Sequence, residues 1–223
     1  MFVLLFDIDG TLIQSGGAGI AALNLACTQV FGKTETKPIP VHGCTDRGII
    51  SNLFAAHEIE NTPDNWQRFQ DTYLEILPTT LSERSGRVLP GVVELLDELQ
   101  QRNDVALGLL TGNTQRGAEI KLDHYGLNSY FDFGGFGEEH AHRDDVARLA
   151  FDNACKHLDT DVNRSQVWVL GDTPADIQCG RAINANVVAL LTGGVDREVL
   201  AQGNPDLLLD DLSDAREFVS KLN

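Results

Sequence analysis

The chain has 223 residues, 42% of them hydrophobic, and 33 acidic against 17 basic residues give it a formal net charge of −16. So negative a surface disfavours nucleic acids and anionic membranes as partners, and apolar runs such as residues 187–191 are too short to span a bilayer. The four cysteines, none of them in a C-x-x-C pair, indicate neither a zinc site nor a redox motif and favour a reducing cytoplasm.

The first predicted element is a strand over residues 2–6, followed by Asp7-Ile8-Asp9-Gly10-Thr11-Leu12. A short unbroken apolar run that ends at a turn signal is typical of a strand buried on both faces. Asp7 and Asp9 would then lie at the strand end, where open parallel sheets bind ligands. Two acids so close together would repel each other without a cation, which favours a metal-assisted phosphoryl-transfer site. An acidic turn after a core strand is the alternative.

The next part of the chain predicts helices and no convincing strand. The expected helices are Ala18–Phe31, Thr45–Ala56 and Pro63–Leu77. Gly32 would end the first, Thr45 would cap the second and Pro78 would end the third. The glycine-rich connection before the first helix indicates a hinge. We therefore predict a small helical cap at residues 14–87.

Strands and helices alternate over the rest of the chain. The expected strands are 105–110, 130–136, 166–170, 187–191 and 207–209, and the expected helices are 92–102, 114–125, 144–158, 174–183 and 213–222. This alternation predicts a parallel sheet with right-handed crossovers. The expected fold is α/β: a Rossmann-like, three-layer α/β/α core at residues 1–13 and 88–223, interrupted by the α-helical cap.

Polar signals follow three predicted strands, and in a parallel sheet these strand ends share one edge. Asp7 could attack phosphorus and form an aspartyl-phosphate. Asp9 is placed to protonate the leaving alcohol and then to deprotonate water. The carboxylates of Asp7 and Asp172, with the backbone carbonyl of Asp9, suit Mg²⁺, and Asp176 would support the site from outside the metal's own ligands.

The middle signal is Thr111-Gly112-Asn113, between a predicted strand and a predicted helix. The hydroxyl of Thr111 and the backbone N–H groups of Gly112 and Asn113 could hold phosphate oxygens at a helix start. Together the three signals supply the nucleophile, the cation site, the donors and the acid that phosphoryl transfer requires.

These residues resemble the motifs of the haloacid dehalogenase-like hydrolases, especially phosphatases of the phosphoglycolate phosphatase type. Residues 7–12 are similar to the first motif, residues 111–113 to the second and residues 171–176 to the fourth, in the family's order. The resemblance covers essentially the whole chain. It implies a Rossmann-like core, a helical cap inserted after the first motif and Mg²⁺-dependent attack by the first aspartate. Asp9 favours phosphate transfer, because the family's dehalogenases lack an acid there.

The resemblance also implies a lysine or arginine ahead of the fourth motif, but the family's Lys-Pro pair is absent. Arg143, just before a predicted helix, is the preferred match. Lys121 is its competitor, although its position within a helix favours a solvated face. Arg47 could meet a substrate anion or lie on the surface, with Asp46 as a helix-capping residue.

Two histidines, His140 and His142, could form a metal pair. Without a third nitrogen or sulfur ligand nearby, a solvated loop is the preferred interpretation.

The expected function is Mg²⁺-dependent hydrolysis of a small phosphorylated metabolite by a monomer or homodimer. Two alternatives stay open. One is a phosphomutase of the β-phosphoglucomutase type, with the same core and cap. The other is a non-catalytic protein that binds a phosphorylated ligand. The absence of the family's Lys-Pro pair ahead of the fourth motif leaves this alternative open.

Overall fold

The computed structural model describes residues 1–222, in which six strands form one parallel sheet in the order β5-β4-β1-β6-β7-β8. The strands are β1 (Phe2–Phe6), β4 (Val105–Leu110), β5 (Phe133–Gly135), β6 (Val167–Gly171), β7 (Asn186–Leu190) and β8 (Leu207–Leu209). The central strand, β1, pairs with β4 on one side and β6 on the other. Its continuous apolar run follows from this position, because neither of its faces reaches water.

Helices cover both faces of this sheet, since successive side chains of β1 enter different hydrophobic clusters. Leu4 and Phe6 pack with residues of α4 (Val92–Gln100), α5 (Gln115–His124) and α9 (Arg216–Ser220). Val3 and Leu5 pack with α6 (Arg143–Leu158) and α7 (Pro174–Ala182). A further short helix, α8 (Arg197–Gln202), was not predicted; its Leu200 packs beside β7 in a small separate cluster. The predicted three-layer α/β/α core is confirmed.

Between β1 and β4 the chain forms a helical insert with its own apolar core. Its helices are α1 (Ala18–Phe31), α2 (Asp46–Ala56) and α3 (Pro63–Glu83). Phe31, Phe54 and Phe69 pack together at the centre, two of the three ring pairs meeting edge to face. The first two helices start and end close to the predicted positions. Thr45 caps α2 by accepting a hydrogen bond from the N–H of Gly48, and Gly32 ends α1 in a left-handed conformation.

The insert is joined to the core by two antiparallel strands that the sequence did not indicate. They are β2 (Ile13–Gln14) and β3 (Arg87–Val88). The chain thus enters and leaves the insert side by side through a short ribbon, and the predicted domain boundaries at 13/14 and 87/88 fall within it. Two residues per strand are too few for a hydrophobic pattern to be recognised in the sequence.

The prediction that Pro78 ends the third helix is wrong, because α3 continues through it to Glu83. Proline inside a helix removes one hydrogen bond and costs about 3 kcal/mol. Leu77 and Leu81, one turn apart around Pro78, are almost fully buried in the apolar core of the insert. Burial of two such side chains contributes about 3–6 kcal/mol, which is enough to offset the proline.

The predicted strand over 130–136 is also shorter than expected. A short 3-10 turn at Asn128–Tyr130 precedes it, and the strand itself covers Phe133–Gly135. No helix within residues 1–222 is long and apolar enough to cross a lipid bilayer.

Candidate active site

Three buried carboxylates meet at the edge of the sheet where β1 and β6 end. Asp7 follows β1, Asp172 follows β6, and Asp176 lies in the first turn of α7. Their ligand oxygens all lie within 4.8 Å of one another. The register explains this convergence, because Phe6 lies beside Leu170 and the N–H of Asp7 donates to the carbonyl of Leu170 at 3.0 Å. The structure therefore brings together acids that are far apart in sequence.

The electrostatics of this cluster favour a divalent cation. Burial, and after it the charges of the neighbouring Asp176 and Asp7, raise the pKa of Asp172 to about 8. Burial also raises the pKa of Asp7 to about 6, although Arg143 opposes the rise. Carboxylates with raised pKa values are destabilised in their charged form, and a bound cation would relieve that destabilisation.

The surroundings of the Asp172 carboxylate also suit a role as a metal ligand. A Cβ atom on Gly10 would lie 2.4 Å from one carboxylate oxygen of Asp172, and one on Gly193 would lie 1.6 Å from the same oxygen. Only glycine leaves room for the carboxylate at these two positions. Thr11 donates its hydroxyl to the other oxygen at 3.2 Å, which fixes the orientation of the group. Oxygen ligands held in this way suit Mg²⁺.

Asp176 has a different role from the other two acids. Its Oδ2 accepts hydrogen bonds from the N–H of Thr173 at 2.9 Å and from the hydroxyl of Thr173 at 2.7 Å, in a capping box at the start of α7. Its Oδ1 accepts a hydrogen bond from Arg143. Since both oxygens are engaged, Asp176 is better placed to position Arg143 than to bind a metal.

Arg143, the first residue of α6, is only 8% exposed and faces the cluster. Its Nη2 lies 3.5 Å from Oδ2 of Asp7 and also donates to Asp176. Burial opposes the charge of the guanidinium, but Asp176 and Asp7 outweigh burial and raise its pKa. The residue preferred from the sequence is therefore a permanent cation beside the candidate nucleophile.

The expectation that Lys121 lies on a solvated helix face is wrong. Lys121 is 4% exposed, and its Nζ donates to Oδ2 of Asp9 at 2.6 Å and to Oδ1 of Asn113 at 2.7 Å. Within α5 it shares the buried face with Ala118 and Leu122. That spacing was the available signal, since a lysine in line with small and apolar residues of one helix faces the interior.

The side chain of Asp9 is held by different partners from those of Asp7 and Asp172. Its side chain is 41% exposed and accepts a hydrogen bond from Nδ2 of Asn113 at 3.0 Å in addition to the one from Lys121. Burial in the cavity opposes its charge, but Lys121 and Asn113 outweigh it and lower the pKa of Asp9. The two cations thus serve different acids: Arg143 contacts Asp7, and Lys121 contacts Asp9.

The middle motif is only partly exposed to the cavity. Gly112 and Asn113 line it, whereas Thr111 is fully buried and its hydroxyl accepts a hydrogen bond from Nδ2 of Asn113 at 2.8 Å. A Cβ on Gly112 would lie 2.2 Å from the carbonyl oxygen of Cys44, so glycine allows the insert to approach the strand end. The structure places Thr111 behind Asn113 rather than in the cavity.

The insert places Asp46 in the lining of the cavity. Among residues 1–222 that line the cavity, Arg47 is not included. The guanidinium of Arg47 lies 4.3 Å from the centre of the Trp66 ring. Asp46 is 6% exposed, and its Oδ2 accepts a hydrogen bond from the N–H of Thr114 at 2.8 Å. Burial raises the pKa of Asp46 to about 6, although Lys121 opposes the rise. Asp46 therefore holds Thr114, the N-cap residue of α5 in the core, as well as opening its own helix.

Neither His140 nor His142 belongs to a group of three potential metal ligands within residues 1–222. His142 is exposed at the start of α6, as the interpretation of a solvated loop predicts.

The cavity lies between the insert and the edge of the sheet and has a volume of about 370 Å³. Its core side is polar and carries Asp7, Asp9, Asn113, Lys121, Arg143 and Asp172. Its insert side carries Ile20, Leu23, Val41, Ile49 and Tyr73, with the glycine-rich connection between them. Such a cavity has room for a small ligand with one highly polar end.

Comparison with known proteins relates the whole chain to one group. The family model described as haloacid dehalogenase-like hydrolase matches residues 4–190. A phosphoglycolate phosphatase of Synechococcus elongatus is 28% identical over 233 residues, which cover 100% of this chain and 99% of that relative. A phosphoglycolate phosphatase of Agrobacterium fabrum is 29% identical over 216 residues, which cover 94% of this chain and 88% of that relative.

Among solved structures, CbbY of Rhodobacter sphaeroides in complex with phosphate superposes with a TM-score of 0.77 over 96% of each chain, at 19% sequence identity. At that identity the likeness concerns the fold. It extends over the sheet and the helical insert together.

Proposed function

The chain belongs to the haloacid dehalogenase-like hydrolase family, and from this we propose that it is a Mg²⁺-dependent phosphatase that hydrolyses a small phosphorylated metabolite through an aspartyl-phosphate. The names of the curated relatives support a phosphate monoester as the substrate. The four cysteines are unpaired thiols, which supports a reducing cytoplasm as its location.

The observation that carries the proposal is the position of Asp7, which lines the cavity at the end of the central strand with Arg143 beside it. In the first step Asp9 carries a proton despite the lowered pKa of its carboxyl; a carboxylate oxygen of Asp7 attacks phosphorus, the ester P–O bond breaks, and Asp9 gives that proton to the departing alcohol oxygen. In the second step Asp9 takes a proton from water, whose oxygen attacks phosphorus and breaks the bond to Asp7. Lys121 and Asn113 hold the carboxylate of Asp9 in place for both transfers.

The carboxylates of Asp7 and Asp172 and the backbone carbonyl of Asp9 would hold the metal. When bound, Mg²⁺ would supply positive charge against the nucleophile and the phosphate and would orient them for attack. Arg143 would neutralise charge on the nucleophile and the phosphate, and the backbone N–H of Gly112 would face a remaining phosphate oxygen, since the N–H of Asn113 already donates to the hydroxyl oxygen of Thr111 at 3.3 Å.

Metal binding should stabilise the protein in a pH-dependent way. Without metal, the raised pKa values of Asp7 and Asp172, about 6 and about 8, mean that the folded state holds protons that the unfolded chain has released. Their contribution to stability is present at low pH and is lost as pH rises through these values. Since protons compete with the metal for the carboxylates, we expect Mg²⁺ to raise Tm more at about pH 8 than at about pH 6.

The control for this measurement is an acid away from the site. Asp172→Asn should lose most of the Mg²⁺-dependent rise in Tm, whereas Asp152→Asn, on the exposed side of α6, should keep it. An equal rise in both variants would place the metal elsewhere.

Phosphate release tests the proposed activity. We expect Mg²⁺-dependent hydrolysis of p-nitrophenyl phosphate, lost on chelation with EDTA and restored by added Mg²⁺. Incubation with hexose phosphates, followed by product analysis, distinguishes a phosphatase from a phosphomutase, which would return an isomer and little free phosphate. Tight binding of phosphorylated ligands without release from any of them would support the non-catalytic alternative.

A further inference from the structure

The insert side of the cavity has the chemistry to select the alcohol part of the substrate. Most of its side chains are apolar. Helix α1 contributes Ile20 and Leu23, and helix α2 contributes Ile49. Within the described chain, no lysine or arginine of residues 14–87 lines the cavity. The acidic and basic side chains that the insert contributes there are Asp46 and the exposed His42.

Asp46 is built into this wall rather than being a mobile surface acid. It is 6% exposed at the first position of α2, and its Oδ2 is fixed by the N–H of Thr114 at 2.8 Å. Its other oxygen, Oδ1, has no hydrogen-bond donor among residues 1–222. Because Asp46 lines the cavity, that oxygen can accept a hydrogen bond from a ligand.

The cations of the cavity are already engaged by protein carboxylates. Lys121 donates to Asp9 and to Asn113, and Arg143 donates to Asp176 and contacts Asp7. Even with a divalent cation bound, the carboxylates and a phosphate dianion outnumber the positive charges. A second anionic group on the substrate would therefore meet Asp46 with no free cation from the insert to balance it.

We propose that the substrate has an uncharged, hydroxylated leaving group, which donates a hydroxyl to Asp46 and places its carbon atoms against Ile20 and Leu23. Asp46 then discriminates against a leaving group that carries a carboxylate, as glycolate does. This inference rests on the proposed phosphatase function and narrows its substrate class. Because like charges repel each other, a substrate whose carboxylate is brought next to Asp46 binds much less favourably than one with an uncharged hydroxyl there.

A matched pair of substrates tests the inference. In 2-phosphoglycolate a carboxylate stands where 2-hydroxyethyl phosphate has a hydroxymethyl group, and the phosphate ester is otherwise alike. At about pH 8 we expect kcat/KM to be at least about tenfold higher for 2-hydroxyethyl phosphate. This comparison needs only the wild-type protein.

Two variants identify the residue responsible. Asp46→Asn keeps an oxygen that accepts from Thr114 and removes the charge, so the preference should fall towards unity, mainly through faster hydrolysis of 2-phosphoglycolate. Glu138→Gln is the matched control, since Glu138 accepts from the N–H of Gln115 at the same helix start but does not line the cavity. It should leave the preference unchanged.

A wild-type preference for 2-phosphoglycolate would overturn the inference, as would an Asp46→Asn variant with an unchanged preference. Selective loss of 2-phosphoglycolate hydrolysis in His42→Gln would also overturn it, because the insert would then supply a cation. None of these results affects the phosphatase proposal. That proposal fails separately if neither substrate, nor p-nitrophenyl phosphate, is hydrolysed.

Discussion

Replacing Asp7 with asparagine is expected to abolish phosphate release, with kcat lower by at least about 10³-fold. The amide of asparagine is a poor nucleophile and a poor metal ligand, so both proposed roles of the carboxylate are lost together. The fold should survive, because asparagine has nearly the same volume and the backbone N–H still donates to Leu170. We expect the free energy of unfolding to change by no more than about 1 kcal/mol.

The measurement is single-turnover and steady-state phosphate release, with circular dichroism melts to verify the fold. Asp152→Asn makes the same chemical change on an exposed helix face and should retain wild-type kinetics. If Asp7→Asn hydrolysed p-nitrophenyl phosphate at the normal rate, Asp7 would not be the nucleophile.

Removing the guanidinium of Arg143 should reduce both stability and activity. Arg143→Met leaves the buried Asp176 without its cation and Asp7 without the nearest positive charge. Breaking a buried ion pair in this way costs about 3–5 kcal/mol, and loss of one group that stabilises the transition state lowers kcat by on the order of 10²–10³-fold. Arg143→Lys should recover part of both losses, because it restores the charge without the planar donors.

The control for Arg143 lies on the same helix. Arg148 forms an exposed pair with Asp145 at 2.6 Å, so Arg148→Met should change the free energy of unfolding by at most about 0.5 kcal/mol. Chemical denaturation measures the loss of stability in the two variants, and phosphate-release kinetics measure the loss of activity. Equal effects of Arg143→Met and Arg148→Met would contradict the role assigned to the buried cation.

The same assays separate the roles of the two cations. Lys121 acts on Asp9, which protonates the leaving alcohol, whereas p-nitrophenolate leaves without needing a proton. Lys121→Met should therefore slow an alkyl phosphate much more than p-nitrophenyl phosphate. Arg143→Met should slow both substrates alike, since Arg143 contacts the attacking acid in each case.

The sequence was most informative where a local pattern determined the structure. The apolar run of β1 predicted a strand buried on both faces, and the glycine after α1 predicted where that helix ends. The acids after β1 and β6 could be expected near one another, because the ends of parallel strands share an edge. These features depend on residues next to each other in the chain.

Features that depend on distant packing could not be predicted in the same way. Lys121 is buried because Asp9, 112 residues earlier in the chain, lies opposite it. Asp46 faces the cavity because it accepts a hydrogen bond from the N–H of Thr114, 68 residues later, just before α5 begins. The continuation of α3 through Pro78 depends on how Leu77 and Leu81 pack in the insert. No pattern within a short window of sequence contains these partners.

If phosphate passes through a covalent bond to Asp7, the stereochemistry at phosphorus will record it. A substrate made chiral at phosphorus with sulfur and oxygen isotopes would be hydrolysed in isotopically labelled water, and the configuration of the released phosphate determined. Each in-line displacement inverts phosphorus, so two successive steps through Asp7 predict net retention. Net inversion would mean that water attacks the substrate directly and that phosphorus is never bonded to Asp7.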